Sequence, residues 1–353
     1  MKVVHLLPAL EQGGVETVVC DLVRELGGRW ESVVVSKGGR LVEKIEASGG
    51  RHVALDLKSK NPLTYFTRAR KLRKVLRMEK PDLVCVHSRV PAWLFVWANR
   101  GLGLKWITYA HGANSVSRYS AVMTKGDLII TPSRFLADYL KVNYGIPEAK
   151  LRVIPNAVDT ERFNPENLDR SFVAEKKREW GIREGDRVIM AIGRITPVKG
   201  LEELIREFGE RISAATRGRV GYGEEKLVIV GGADKHHQKY LESLRALASS
   251  LIPHPSSLIF AGQQAKIPEC ISIADEIVSA NVTKPETFGL SVIEAYAMNK
   301  PVRAKRFGGV AEVMEAVEKA GKPTLREAVI SLYAPRLQAA RTLVAYRELA
   351  NMV

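Results

Sequence analysis

The sequence is poor in the residues that organise small metal-bound or disulfide-bound proteins. Three of 353 residues are cysteine, Cys20, Cys85 and Cys270. They lie far apart with no CxxC spacing, which argues against a disulfide framework or a zinc ribbon and fits a reducing cytoplasm. His236 and His237 do not make up the shortage, because consecutive residues of a helix point apart. Long hydrophobic runs are missing as well. The longest uncharged apolar stretch, residues 90–98, is about half of the ~18 residues a membrane-spanning helix requires. Residues 1–8 are followed by Glu11, Gln12 and a glycine pair instead of a small-residue cleavage site, so they read as a first strand and not as a secretory leader. No repeat of solenoid period and no low-complexity tract is present. Acid is the last shortage, with 39 Asp and Glu against 54 Lys and Arg and a net charge of +15. Up to Phe163 there are 26 basic residues against 15 acids, and beyond it 28 against 24. Residues 58–80 alone hold nine basic residues and one acid, which makes the surplus a patch and not a diffuse property.

What is present is alternation. At roughly 100–200 residues per domain the chain is long enough for two hydrophobic cores. Short Val/Ile/Leu runs at 2–7, 32–36, 52–55, 83–87, 106–110, 128–131 and 152–154 alternate with helical patterns, as in βαβ units with a parallel sheet buried on both faces. After an irregular stretch from Pro155 to about Arg170, the alternation resumes at 187–192, 227–230, 258–261 and 276–279. The expected class is α/β, two Rossmann-like doubly wound domains facing across a cleft. The first covers residues 1–163, the second 164–334, and a helix over 337–352 in the remaining tail, 335–353, is expected to return to the first. Leu337, Ala340, Leu343 and Val344 are expected to form that helix's apolar side.

Glycines mark the strand ends where such folds bind ligands. Gly13 and Gly14 follow the first strand, Gly193 ends the first strand of the second half, and Gly231 and Gly232 end the next. Each suits a backbone approaching an anion at a helix start, and each also suits an ordinary turn. Arg194 and Lys199 stand five apart just before a predicted helix, where two cations, N–H groups and the helix dipole together favour a diphosphate. Glu286 and Glu294 stand eight apart around Gly289, one in a loop and one a turn or two inside a helix. Acids at those two depths can accept hydrogen bonds from two sets of hydroxyls with phosphate between them, which is what a nucleotide-sugar asks of a site.

With these pieces in order, the sequence resembles a family 4 retaining glycosyltransferase of the GT-B type. The resemblance rests on Glu286 and Glu294, Arg194 and Lys199, the loop Gly13-Gly14-Val15-Glu16 and the run Pro155-Asn156-Ala157-Val158-Asp159, and spans residues 2–312. It implies that Arg194 and Lys199 hold the donor diphosphate and stabilise its departure, and that Glu294 accepts the ribose hydroxyls. It further implies that Glu286, with the backbone of Phe288, Gly289 and Leu290, holds the transferred sugar and distal phosphate. Gly13 and Gly14 would close over that phosphate, His111 would stand beside the sugar, and the base, uracil favoured, would lie near Gln263, Lys266 and Ile267. A nucleoside-diphosphate sugar is then the donor substrate, and no cofactor or metal is required, because Arg194 and Lys199 do a metal's electrostatic work. Structural readings stand beside these: a solvated helix acid for Glu294, a core histidine for His111, and either a core or an acceptor-side role for His87.

The basic patch reads as a helix over 64–78, with Tyr65, Ala69, Leu72 and Leu76 as its apolar stripe and Arg68, Arg70, Lys71, Arg73, Lys74 and Arg77 on the rest. A solvated face is the plain reading. Six cations without an acid also fit an anionic membrane face or phosphorylated glycolipid, and nucleic acid is not expected, because no aromatic interleaving accompanies the patch. Residues 36–42 and 110–123 are similar to bacterial enzymes of lipopolysaccharide core assembly, which implies an anionic lipid-linked acceptor and a peripheral location at the inner face of the cytoplasmic membrane. Glu16 and the six cations are the acceptor- and membrane-side candidates. Two departures from the family stand out: Asn299 replaces a glycine, and the stretch after Glu312 is short. A non-catalytic sugar-nucleotide or lipid-surface binder and a nucleotide-sugar epimerase are the alternative functions.

Overall fold

The computed structural model describes residues 1–11, 13–215, 224–281 and 284–350. They divide into two compact units, residues 1–157 with 333–353, and residues 158–332.

The first unit runs β1 (Lys2–Leu6), α1 (Gly14–Leu26), β2 (Glu31–Ser36), α2 (Val42–Ala47), β3 (Arg51–Ala54) and α3 (Tyr65–Glu79). It continues with β4 (Leu83–Val86), α4 (Arg89–Ala98), β5 (Trp106–Tyr109), β6 (Leu128–Thr131), α5 (Arg134–Tyr144) and β7 (Leu151–Val153). Its seven strands are ordered β3-β2-β1-β4-β5-β6-β7, all parallel. Parallel strands need crossovers, and crossover helices cover both faces, so successive side chains of one strand enter two different cores. Val3 faces a core built with α1, while Val4 and Leu6 face another built with α3 and α4. This is why each central strand reads as an unbroken apolar run and not as an alternation.

The second unit contains α6 (Arg170–Glu179), β8 (Arg187–Ile192), α7 (Leu201–Ala215), β9 (Glu225–Val230), α8 (Gln238–Leu251) and β10 (Leu258–Gly262). It ends with α9 (Ile267–Ile273), β11 (Glu276–Ser279), α10 (Leu290–Ala297), β12 (Val302–Ala304), α11 (Gly309–Lys319) and α12 (Leu325–Tyr333). The sheet order is β10-β9-β8-β11-β12, again parallel. All eleven strands read from the sequence are present. The twelfth, β12, was not anticipated: it is three residues long, includes Arg303 and pairs only with β11 at the sheet's edge. Asn299 has a φ of 56°, a left-handed conformation that favours glycine and that asparagine tolerates best of the other residues, so the departure from the family's glycine is conservative in backbone terms. The short stretch after Glu312 is folded: Val313, Met314 and Val317 are buried, and the Arg326 guanidinium donates to the carbonyls of Phe163, Thr160 and Ala297.

The last helix, α13 (Pro335–Ala350), packs on α1 and belongs to the first unit. Its buried face differs from the expected one. Ala340 and Val344 face solvent, while Gln338, Ala339, Thr342, Leu343, Ala345, Tyr346 and Leu349 point inward. The polar members of that face are matched: the Tyr346 hydroxyl lies 3.3 Å from that of Tyr109 and accepts from Cys85 Sγ at 3.1 Å, and Thr342 Oγ1 lies 3.5 Å from Tyr109. A rule that counts only aliphatic residues misplaces a face whose centre is Tyr346. Tyr346→Ala is therefore expected to lower the denaturant-derived unfolding free energy by about 3–5 kcal/mol, and Val344→Ala to change it by less than roughly 0.5; the reverse order would place Val344 on the packed face.

Candidate functional site

In the second unit the chain leaves β8 at Ile192, turns through Gly193 and Arg194, makes a single 3₁₀ turn over Pro197–Lys199 and enters α7. The turn depends on Gly200. Its φ is 63°, and a Cβ there would collide with the carbonyl oxygen of Ala280. The Lys199 side chain folds back across Gly193, and its ammonium pairs with the Glu286 carboxylate. Arg194 is exposed and has no ion-pair partner among the described residues. A small cavity is lined by Gly193, Arg194, Lys199, Ser279, Ala280 and Ser291, bringing the end of β8, the end of β11 and the start of α10 together.

Gly289, at φ 93°, turns the chain into α10, where a Cβ would press on Val310. Glu286 is fixed from behind, its carbonyl accepting from the Gly309 amide at 2.8 Å. Phe288 is buried and Leu290 is the first residue of α10. Glu294, one turn into the helix, is half-buried; loss of water pushes its carboxyl up to about 7, a shift that Arg162 partly opposes. Arg162, which lies over the Phe163 ring, went unnoticed in the sequence because it belongs to the irregular linker, where no periodicity marks it. Gln263 stands opposite Gly232, just after β10, and Ile267 opens α9. Lys266 is engaged elsewhere: its ammonium lies 2.6 Å from Asp169, the residue that caps α6. His237 likewise binds Asp234 at 2.7 Å, and among the described residues no three His, Cys, Asp or Glu side chains converge as metal ligands would.

In the first unit Gly13 precedes α1, Gly14 is its first residue and Glu16 lies in its first turn, with a carboxylate oxygen against Gly13. Beyond the ends of β4 and β5 stand His87 and His111. His87 Nδ1 lies 3.2 Å from His111 Nε2, and His87 Nε2 lies 3.1 Å from Nδ1 of a third imidazole, His5 on β1. The rings are stacked, and the Tyr109 ring stacks on His87 and His111. Burial depresses all three pKa values, those of His5 and His111 to about 4. His5 was not singled out in the sequence. The signal was there in the period of two, as Val3-x-His5, Cys85-x-His87 and Tyr109-x-His111 on three adjacent strands.

Comparison with known proteins bears on the family and the fold. A model described as Glycosyltransferase Family 4 matches residues 12–162, and one described as Glycosyl transferases group 1 matches residues 172–322. The chain belongs to the family 4 glycosyltransferases. It is 30% identical over 191 residues to a D-inositol 3-phosphate glycosyltransferase of Acidothermus cellulolyticus, covering 54% of this chain and 40% of that protein. It is 23% identical over 258 residues to a lipopolysaccharide 1,2-N-acetylglucosaminetransferase of Salmonella typhimurium, covering 71% and 62%. The chain thus spans less than two thirds of either relative. Among solved structures, a glycosyltransferase from Rickettsia africae ESF-5 superposes with a TM-score of 0.82 at 24% identity, covering 99% of this chain and 98% of that one. Anabaena HepE in complex with UDP-glucose superposes at 0.77 with 18% identity, covering 98% and 100%. These likenesses establish the GT-B type of fold, two parallel-sheet α/β units.

The basic helix is α3, and its six cations divide. Arg70, Lys71, Lys74 and Arg77 face solvent. Arg68 does not: it is 7% exposed and donates to the Thr64, Asp56 and Asn61 carbonyls and to the Thr64 hydroxyl. Arg73 donates to the carbonyls of Ala98 and Arg100, satisfying the end of α4. The outward face of α3 and the turn before it also carries Leu63, Phe66 and Met78, exposed by 88, 54 and 70%. No helix among the described residues is long and apolar enough to cross a membrane.

The Glu294 carboxyl gives a measurable pH signature. Its pKa rises from 4.5 to about 7 on folding, so the folded chain keeps a proton that the unfolded chain has released across that window. Glu294 therefore subtracts stability progressively as pH climbs from about 4.5 to about 7, and no further above it. Thermal melts of the parent and of Glu294→Gln between pH 4.5 and 8 are expected to diverge in the variant's favour through that range and run parallel beyond it. Parallel curves throughout would show that the carboxyl is hydrated.

Proposed function

We propose that the chain transfers a hexose-type sugar, with retention, from a nucleoside-diphosphate sugar, UDP-sugar favoured, to a membrane-associated glycan or glycolipid acceptor carrying anionic groups. The observation that carries this is the pairing, at one sheet edge, of an uncommitted Arg194 with a Lys199 held by Glu286 at the threshold of two helices. Arg194 and Lys199 receive the diphosphate with the first N–H groups of α7 and α10. Lys199 is held ready by Glu286, and a phosphate arriving there shares or takes over the ammonium. Glu294 accepts the ribose hydroxyls, Glu286 with the backbone of Phe288, Gly289 and Leu290 binds the sugar, and Gln263 and Ile267 flank the base. Gly13 and Gly14 approach the distal phosphate, and His111 binds the sugar.

In the transfer, the bond between the anomeric carbon and the phosphate oxygen breaks while an acceptor oxygen attaches to the same face of that carbon. The acceptor's proton passes to the departing phosphate oxygen. Negative charge grows on the diphosphate as the bond lengthens, so two fixed cations act more strongly on the transition state than on the bound substrate. That supplies the charge compensation a divalent metal gives in other transferases. HepE's complex with UDP-glucose supports the donor class, and relatives named for inositol phosphate and lipopolysaccharide support an anionic acceptor.

The acceptor side rests on α3. Four outward cations with Leu63, Phe66 and Met78 among them form a surface suited to the inner face of a cytoplasmic membrane, each cation contributing about 1 kcal/mol near anionic lipid. The process served is lipopolysaccharide core or another cell-envelope polysaccharide assembly.

Two experiments test the reading. Arg194→Ala and Lys199→Ala are each expected to reduce kcat about 100-fold or more while leaving the melting temperature near that of the parent, and turnover within a few-fold of the parent would overturn the leaving-group roles. UDP at 100 times its Kd is expected to stabilise the fold by about 2.7 kcal/mol. Absence of any shift with UDP, GDP, ADP or their sugars contradicts the donor class, and intact donor after incubation with acceptor lipid points to a binding protein.

A further inference from the structure

A long stretch of the first unit carries no acid. Residues 83–126 hold five Lys and Arg and no Asp or Glu, and they supply β4, α4 and β5. Two of the five cations belong to a row of side chains along α4. The Arg89 guanidinium lies 5.4 Å from the centre of the Tyr119 ring, and the Lys125 ammonium lies 5.3 Å from that of Trp93. Between them the Tyr119 and Trp93 rings are 6.5 Å apart and within 15° of parallel. The order is cation, ring, ring, cation. Among the described residues neither Arg89 nor Lys125 is paired with a carboxylate, and a ring quadrupole compensates a cation only in part.

The segment that bears Tyr119 is exposed and yet held at both ends. Residues 115–119 face solvent, Tyr119 by 42%. Before them, the Asn114 carbonyl accepts from the Tyr139 hydroxyl of α5 at 2.5 Å. After them, Trp93 Nε1 donates to the Tyr119 carbonyl at 3.0 Å, and Ser117 Oγ accepts from the Ser120 amide at 3.1 Å. A loop fixed in this way loses little further freedom when a ligand binds. Because its indole N–H is already engaged by a carbonyl, Trp93 offers a ligand only its apolar faces. Rings whose centres are 6.5 Å apart cover each other incompletely, so part of those faces stays open to a flat apolar partner.

A pyranose presents such a face in its C–H groups, and the flanking cations select one that carries negative charge. We propose, on the reading that the chain glycosylates an anionic glycan or glycolipid, that Tyr119 and Trp93 stack a sugar ring of that acceptor and that Arg89 and Lys125 hold its phosphate or carboxylate. The site is separate from the cations of α3, which that reading assigns to the lipid surface. Arg89 opens α4 two residues after His87, and His87 meets His111 at 3.2 Å. The Arg89 end of the row is therefore the end nearer the residue assigned to the transferred sugar.

Indole ¹⁵N–¹H spectra of the labelled full chain read the site directly. Five tryptophans give five signals, and the one missing from Trp93→Phe is that of Trp93. Glucose 6-phosphate and glucuronate are expected to shift it saturably, either alone sufficing, and glucose to bind about tenfold or more weakly. Inorganic phosphate is expected to leave it in place. Equal affinity for glucose overturns the roles of Arg89 and Lys125. A shift with inorganic phosphate as large as with the sugars overturns the stacking, and no shift with any probe overturns the site. Arg89→Gln and Tyr119→Leu are each expected to weaken the anionic sugar about tenfold, and Tyr119→Phe, which keeps the ring, to stay within about twofold of the parent. A lower melting temperature in Tyr119→Leu with unchanged affinity would reduce Tyr119 to an anchor of its loop, against the proposal. Stabilisation by UDP, measured on the same samples, keeps the two readings apart. A parent chain that responds to UDP but to no sugar fails this proposal alone, and one that responds to the anionic sugars but not to UDP fails the donor reading alone.

Discussion

The parallel register of β1, β4 and β5 is the constraint from which the first unit's chemistry follows. His5 is opposite Cys85, and Cys85 is opposite Ile107, so residues on one face of these strands form aligned ranks. The lower ranks, Val3 with Leu83 and then Cys85 with Ile107, are sealed under α1 and α13. Polar side chains become tolerable where the strands run out. There the histidines step diagonally, one strand across and two residues onward, which brings three rings into contact although 82 residues separate the first from the second. A shift of one residue in any of these pairings would turn an imidazole to the opposite face. The tyrosine, cysteine and threonine groups that tie α13 to the sheet lie one rank deeper on the same face, so anchoring of the last helix and support of the imidazole row are parts of one packing arrangement.

The same end-of-strand logic governs the second unit with charges in place of rings. Gly200 lets the chain pass against the Ala280 carbonyl, which sets α7 beside the end of β11 and brings Lys199 to Glu286. Holding the ammonium against a carboxylate offsets the cost of its partial burial. Arg194 has no such partner among the described residues and stays exposed, where hydration makes an uncompensated cation inexpensive. The two cations therefore differ: one is ordered in advance, the other is free to adjust. Glu294 adds a third condition, since a carboxyl with a pKa near 7 accepts hydrogen bonds fully only in the upper part of the neutral range.

Most of the fold was legible because doubly covered strands produce apolar runs that need no partner information to recognise. β12 was not, since three residues at an edge carry neither length nor hydrophobicity. The buried face of α13 was misread for a different reason: its inward side holds Gln338, Thr342 and Tyr346, whose burial depends on hydrogen bonds to β5 and β4 and to Asn156, partners remote in sequence. The candidate site was legible as far as local spacing reaches. Arg194 with Lys199, and Gly289 with Glu294, are short-range patterns tied to helix starts. Arg162 beside Glu294 and His5 beside His87 arise from tertiary approach, and only the latter left a trace, as a periodicity shared by three strands.

Charge shows the limit of composition most clearly. The +15 total and the nine basic residues of 58–80 describe how many cations the chain carries, not where they point. Two of the six on α3 turn inward to carbonyl oxygens, Arg68 closing the turn that precedes the helix and Arg73 completing the end of α4. Arginine suits that work because its planar fork reaches several acceptors at once and its charge is more weakly hydrated than an ammonium. Lys71 and Lys74, with a compact and strongly hydrated charge, stay outside with Arg70 and Arg77. The helix therefore presents a smaller charge than its sequence suggests, alongside more apolar surface, because Phe66 and Met78 lie off the buried stripe and Leu63 precedes it. An electrostatic count alone would describe a polyelectrolyte face. What the packing leaves exposed is an amphipathic one, on which apolar contact and charge act together.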